Sequence, residues 1–396
     1  MKKACYGLKQ GPRQWWIQLN AFLRDLGFRP TKLDICLYAL HMAGGVYILL
    51  LLYVDDIILT ASAAGLVDQY ARRIENRFRV SNIGPLENYL NIALAHSMRM
   101  HRLTMGMSAF VERVYSRFKM LPNASVWTPL QENFNAAVEE ETEEDDSSLQ
   151  QYLTNFLYRE KVGCILYYMI CMCPDLAYAV GVLSRFCAGP TRLACAGVTR
   201  VLQFMYNTRH HKLVLGGDSA RITGYFDSDW ASDREMRRSV SGYIILLGSG
   251  PVDWGSTRQR LVAQSTAEAE FIAASPPTKG IVWLRALLKQ LGIPEVITKY
   301  SSYLLGDNMA ALQMAENPVH HERTKHIAIE YFYLRDRVEA GFIAVDYVET
   351  ARNIADMMPK ALGNNKFGGH AKRALGGEVL ETSTKRCRTE VSDEFA

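Results

Sequence analysis

From Glu139 to Asp146 seven of eight residues are acidic, with only Thr142 between them. Like charges at that density repel one another and leave nothing apolar to bury, so such a block does not fold alone. In a chain of 396 residues, long enough for two or three domains, this is the strongest constraint on architecture: folded regions must lie on either side. The sequence predicts an acidic linker over 131–150. Charge divides at the same place. Residues 1–130 carry 16 Lys and Arg against 8 Asp and Glu, whereas 131–150 carry 8 acidic residues and no basic one. A basic N-terminal part suits a polyanionic partner, and suits a solvated basic face equally well.

Hydrophobic residues make up 48% of the chain and charged residues 22%, a globular balance. No apolar run reaches the roughly 18 residues of a membrane span. The N-terminus "MKKACYGLKQ" has basic residues but no apolar region behind them, so no secretory signal is expected. The eight cysteines form no CxxC pair; Cys171 and Cys173 flank one Met in an apolar segment. These read as buried, reduced thiols in an intracellular protein.

Two stretches carry candidate chemistry. In "LLYVDDIILTA", Asp55 and Asp56 sit between two apolar runs, the pattern of a β-hairpin with both carboxylates at its tip. Aspartate is a good turn residue, which is one reading. The other is a metal site, because adjacent carboxylates repel unless a cation lies between them. Beyond the acidic block, residues 151–219 read as about three helices broken at Pro174 and at Gly189-Pro190. From about 220, "ITGYFDSDW", "SGYIILLGSG" and "QRLVAQS" read as three meandering strands. Helices and strands then alternate to about 362, which predicts a mixed α/β domain. No periodicity marks 363–396, and a disordered tail is expected there.

Within that last domain Asp227, Glu268, Asp307 and Asp356 fall at strand ends and helix starts, which can converge at one sheet edge. Hard oxygen ligands without cysteine favour Mg2+ or Mn2+. Asp233, Glu235 and Glu270 read as solvated charges or caps.

The blocks "GYFDSDWASDREMRRSVSGYIILLG", "VAQSTAEAEFIAAS", "GDNMAALQMAENPVHHERTKHIAIEYFYLRDRV" and "YVETARNIADMMPKAL" resemble, in order and spacing, the ribonuclease H domain of copia-type LTR retrotransposon polyproteins. The resemblance implies that Asp227, Glu268, Asp307 and Asp356 are its metal-binding catalytic carboxylates, with Glu268 chosen over Glu270. It also implies that Arg323, Lys325 and His326 of "RTKHI" contact nucleic acid. "KACYGLKQGPRQWW", "LLYVDDIIL" and "FVERVYSRFKM" resemble the reverse transcriptase of the same elements. Asp55 and Asp56 are then polymerase metal ligands, and Gln10 and Gly11 lie in a nucleotide- and template-contacting block. The segment 151–219 resembles the connection between the two. The expected fold is α/β and α+β: a truncated polymerase palm/thumb-like region over 1–130, the helical connection, and a ribonuclease H-like mixed-sheet domain over 220–362. The expected function is metal-dependent hydrolysis of RNA in RNA–DNA hybrids. Asn91 stands where the family has Gly, and Pro359 where it has Thr. The family's upstream block, with another catalytic Asp, has no counterpart here, so polymerisation by this chain alone is not expected.

Overall fold

A computed structural model describes residues 9–139, 147–217, 220–233, 236–293, 301–316 and 328–377. The chain forms two bodies: Met1–Leu86 with Trp283–Thr298, and Glu87–Val282 with Lys299–Ala396.

The first body contains helices α1 (Gly11–Asp25) and α2 (Leu66–Arg77). Its antiparallel sheet runs β1 (Arg29–Pro30), β2 (Leu37–His41), β3 (Tyr47–Tyr53), β4 (Asp56–Ala61). Strand β3, "YILLLLY", is apolar throughout, yet only alternate residues are fully buried. Ile48, Leu50 and Leu52 meet Leu19 and Leu23 of α1 and Tyr70 and Ile74 of α2, as the two-residue period of a strand requires. Each such side chain contributes about 1.5–3 kcal/mol on burial. The β3–β4 turn holds Val54 at φ 54°, a left-handed conformation that a β-branched residue resists. The Trp15 indole N–H on α1 donates to the Val54 carbonyl at 2.9 Å and pins the turn.

The second body has two sheets. In one, β5 (Asn88–Tyr89), β6 (Ile92–Ser97), β7 (Arg102–Gly106) and β8 (Leu213–Gly216) are antiparallel neighbours. Between β7 and β8 in sequence come α3 (Ser108–Arg117), α4 (Phe134–Glu139), α5 (Ser147–Phe156), α6 (Tyr158–Met172), α7 (Ala177–Leu183) and α8 (Arg192–Asn207). The breaks at Pro174 and Gly189-Pro190 fall where expected, between α6 and α7 and before α8. Leu176, Val182, Val198, Val201 and Leu202 lie in one continuous core with Val111, Val114 and Ile92. The stretch from 87 to 130 therefore packs with the helical segment, although the sequence groups it with residues 1–86.

The other sheet has β9 (Ile222–Asp229) at its centre, in the order β11–β10–β9–β12–β13. Strands β10 (Val240–Leu247) and β11 (Gly250–Arg258) are antiparallel to β9, while β12 (Ser302–Gly306) and β13 (Ile343–Tyr347) run parallel to it. In sequence, helices α9 (Thr266–Ala273), α10 (Ser275–Gln290, which belongs to the first body from Trp283 on), α11 (Met309–Glu316) and α12 (Ala328–Glu339) come between these strands. Three antiparallel strands followed by two parallel ones is the ribonuclease H-like arrangement that the resemblance implies, but the third strand is Gly250–Arg258, and the expected strand "QRLVAQS" is loop.

Three local expectations differ. Phe134 and Val138 of α4 are buried in the core, so the predicted linker starts inside folded structure; Glu140–Asp146 lie outside the described residues. Asp356, expected at a strand end or helix start, lies in a single 3-10 turn, Ile354–Met357. The predicted disordered tail opens with helix α13 (Asn364–Ala374), which buries Phe367, His370, Ala371 and Ala374 at helical spacing. The six described cysteines are free thiols.

Candidate metal centre

Strand β9 supplies the first carboxylate. Asp227 is only 3% exposed and pairs in register with Gly242 of β10. A side chain at 242 would run into the Cβ of Met358, so glycine there lets the 354–359 turn lie against the sheet. Asn353 fastens that turn: its side-chain amide donates to the Phe226 carbonyl at 2.9 Å, and its Oδ1 accepts from the Ala355 N–H at 3.1 Å. Asp356 is thereby fully buried. Asp307 follows directly on β12 and is partly open to solvent. Gly306 before it leaves room for the ring of Phe226.

The second acid of the cluster is not the expected one. Asp227, Glu270 and Asp307 each offer a carboxylate oxygen, and these lie within 4.8 Å of one another. Among the described residues this is the group of acids, histidines and cysteines close enough to share an ion. Glu268 faces elsewhere: its Oε2 accepts from the Gln264 N–H at 2.9 Å, and its own N–H donates to Ser265 Oγ at 3.2 Å. It belongs to the helix cap. Positions 268 and 270 are two apart, on different faces of α9. The sequence carried a usable signal, because Ser265-x-x-Glu268 is a capping-box spacing and leaves Glu270 for the sheet side.

The electrostatics fit a cation. Burial, reinforced by Asp227 and Asp307, pushes the Glu270 carboxyl up to about 9. Burial raises Asp227 to about 6, against the opposing pull of Lys360. Glu270 Oε1 accepts from the Ser228 N–H at 3.2 Å, while its buried Oε2 has no hydrogen-bond partner. An unsatisfied buried carboxylate oxygen beside two other acids is a costly arrangement that a divalent ion resolves. Three hard oxygen donors with one open side suit Mg2+ or Mn2+, which retain water ligands.

Asp356 stands apart from this trio and is met by lysines. Lys360 Nζ lies 3.0 Å from Asp227 Oδ2 and 2.9 Å from Asp356 Oδ1, and Lys366 Nζ lies 2.7 Å from Asp356 Oδ2. The contacts at Asp356 are close ion pairs without hydrogen-bond alignment. Burial alone would raise the Asp356 carboxyl, but the two ammonium groups outweigh it and hold the acid below its ordinary range. His370, with Nε2 3.8 Å from Asp356 Oδ2, is brought down to about 4 by burial and by Arg373. Neither Lys360 nor Lys366 was among the expected site residues. Lys360 stands four residues beyond Asp356, a spacing that matches opposite charges on a helical turn.

Residues 1–132 match the family described as reverse transcriptase (RNA-dependent DNA polymerase). The retrovirus-related Pol polyprotein from transposon TNT 1-94 of Nicotiana tabacum is 32% identical over 369 residues, 93% of this chain and 27% of that protein. The Pol polyprotein from transposon RE1 of Arabidopsis thaliana is 31% identical over 378 residues, 94% of this chain and 24% of that protein. The chain belongs to the copia-type retrotransposon Pol family. It spans about a quarter of the length of these Pol relatives. Among solved structures, ribonuclease H1 of Halobacterium salinarum aligns with 36% of this chain and 94% of its own, at 18% identity and a TM-score of 0.25.

The remaining expected site residues of this Pol chain lie as follows. Asp55 and Asp56 are exposed at the hairpin tip, and among the described residues no third acid or histidine joins them. Gln10 precedes α1, its carbonyl accepting from the Gln14 N–H, and Gly11 opens that helix. Arg323, Lys325 and His326 lie outside the described residues, as does Glu235. Asp233 is a buried partner of Arg258 rather than a solvated charge. No helix among the described residues is long and apolar enough to cross a membrane.

Proposed function

We propose that the ribonuclease H-like part of this Pol chain hydrolyses the RNA strand of RNA–DNA hybrids, using Mg2+ or Mn2+ held by Asp227, Glu270 and Asp307. The carboxylate trio on the central strand, the adjacent helix and the neighbouring strand end carries this reading. When bound, the ion would polarise the scissile phosphodiester and help deprotonate water. Asp227 and Glu270 are fixed by the sheet and by the Ser228 N–H, while the partly open Asp307 gives the substrate phosphate access. Hybrid recognition would rest on backbone shape and 2′-OH contacts, with Arg323, Lys325 and His326 as the proposed phosphate contacts. Gln10 and Gly11 are proposed to touch nucleic acid in the polymerase-like body, to which we assign no independent polymerisation.

The test is cleavage of a labelled RNA–DNA hybrid by residues 1–396 with Mg2+. Asp307→Asn removes one ligand charge while conserving size, so cleavage falls by about 100-fold or more with an unchanged melting temperature. Cleavage at the parental rate refutes the site. Hybrid binding without cleavage by the parent identifies a catalytically inactive nucleic-acid-binding protein instead.

A further inference from the structure

The acid expected as a fourth ligand is the one that the structure gives to lysine. From this we infer that Lys360 Nζ takes the place of a second divalent cation, so that the site loads one ion through Asp227, Glu270 and Asp307 while Asp356 serves as the lysine's counter-ion. The inference rests on the metal-binding reading above and specifies its stoichiometry.

Three observations converge. The Lys360 ammonium lies between Asp227 and Asp356, at 3.0 and 2.9 Å, the position from which a bridging cation would neutralise both. The second oxygen of Asp356 is occupied by Lys366 at 2.7 Å, so neither oxygen is left without a positive neighbour. The Asp356 oxygens and Glu270 Oε2 are alike buried without a hydrogen bond, but each Asp356 oxygen faces an ammonium group and, among the described residues, Glu270 Oε2 faces none, which places the unmet demand for positive charge at the trio. Access points the same way. Asp356 has no exposure, whereas Mg2+ surrenders its waters reluctantly and needs an open side, which Asp307 offers.

A second ion at Asp356 would have to expel an ammonium that is tethered four residues away. A tethered cation has a high effective concentration and loses little translational freedom on docking. It is also monovalent and cannot activate water as a Lewis acid. Lys360 is therefore a positioning residue: it holds Asp227 and Asp356 together and fixes the orientation of Asp227 toward the trio.

The experiment counts bound Mn2+ per full-length chain by equilibrium dialysis, with free ion followed by electron paramagnetic resonance. The parent is expected to bind one ion in the micromolar-to-millimolar range. Asp356→Asn is expected to bind one ion with an affinity within about threefold of the parent. Lys360→Met is expected to bind two, and Lys360→Arg one. Two ions in the parent, or loss of the single ion in Asp356→Asn, overturns the inference. A folded Lys360→Met that binds one ion also overturns it. Should Lys360→Met fail to fold, the parent and Asp356→Asn counts still decide. No ion bound by the parent defeats the metal-binding reading itself and is distinct from all these outcomes.

Discussion

Glu270→Gln tests the centre most sharply, because it predicts gain and loss in one protein. The glutamate's ordinary value is 4.5, and in the folded chain it is pushed up to about 9. A carboxyl raised on folding contributes stability that is fully present below the unfolded value and is lost as pH rises through the folded one. The metal-free parent should therefore weaken between pH 5 and 8. Complete uptake of one extra proton by the folded state corresponds to about 1.4 kcal/mol per pH unit, a ceiling of about 4 kcal/mol over that interval. Asp227 shares the same buried pocket and part of that proton, so removal of Glu270 should recover about 2–4 kcal/mol. Glutamine stays neutral and keeps an oxygen for the Ser228 N–H. In chelator, Glu270→Gln should thus melt with the parent at pH 5 and several degrees above it at pH 8. Adding Mg2+ at pH 8 should raise the parent's melting temperature and leave the variant's unchanged, while hybrid cleavage by the variant falls by about 100-fold or more. Glu268→Ala, its control, should lose about 1 kcal/mol of capping and retain cleavage. Parallel melting profiles for parent and Glu270→Gln from pH 5 to 8, or loss of cleavage in Glu268→Ala alone, would refute the assignment.

Other perturbations probe the supports. Gly242→Ala forces a side chain against Met358 and should cost about 1–3 kcal/mol, read as a lower denaturation midpoint. Val54→Asn relaxes the left-handed turn and should stabilise the first body by up to about 1 kcal/mol by the same measurement. Primer extension by purified residues 1–396 on an RNA template should give no product above a protein-free control, since no third acid joins Asp55 and Asp56 among the described residues. Extension abolished by Asp55→Asn would show that another group completes that site.

How much of this was legible beforehand varies with the range of the interaction. The β3–β4 hairpin and strands β9 and β10 follow from apolar runs and turns, all local in sequence, whereas the ribonuclease H-like fold came from the resemblance and the third strand was placed one segment too late. The choice between Glu268 and Glu270 depends on which face of α9 meets β9, a tertiary fact; only the Ser265 capping spacing hinted at it. The pairing of Lys360 with Asp356 had a local signal in its four-residue spacing, but its contact with Asp227, 133 positions away, had none. Helix α13 was missed because Gly368 and Gly369 mask a sound apolar spacing of Phe367, His370, Ala371 and Ala374. The same limit hid the packing of residues 87–130, since their buried side chains find partners beyond the acidic block.

The pairing of β7 with β8 has a consequence for synthesis of the chain. Arg102 faces Gly216 and Met105 faces Leu213, so one edge of β7 waits for residues made more than a hundred positions later. At ordinary elongation rates of about 5–20 residues per second, that interval lasts on the order of 5–20 s. During it the nascent chain presents an unpaired strand edge and the half-assembled apolar core of α3 to any neighbour. A chaperone that shields Arg102–Gly106 until Leu213 emerges should therefore raise the yield of soluble protein. A shortened version starting at 220 removes β8 and deprives α13 of its strand neighbour, since Val214 N–H donates to the Leu375 carbonyl at 2.9 Å. A piece for expression that keeps β7 with β8 therefore begins before Arg102.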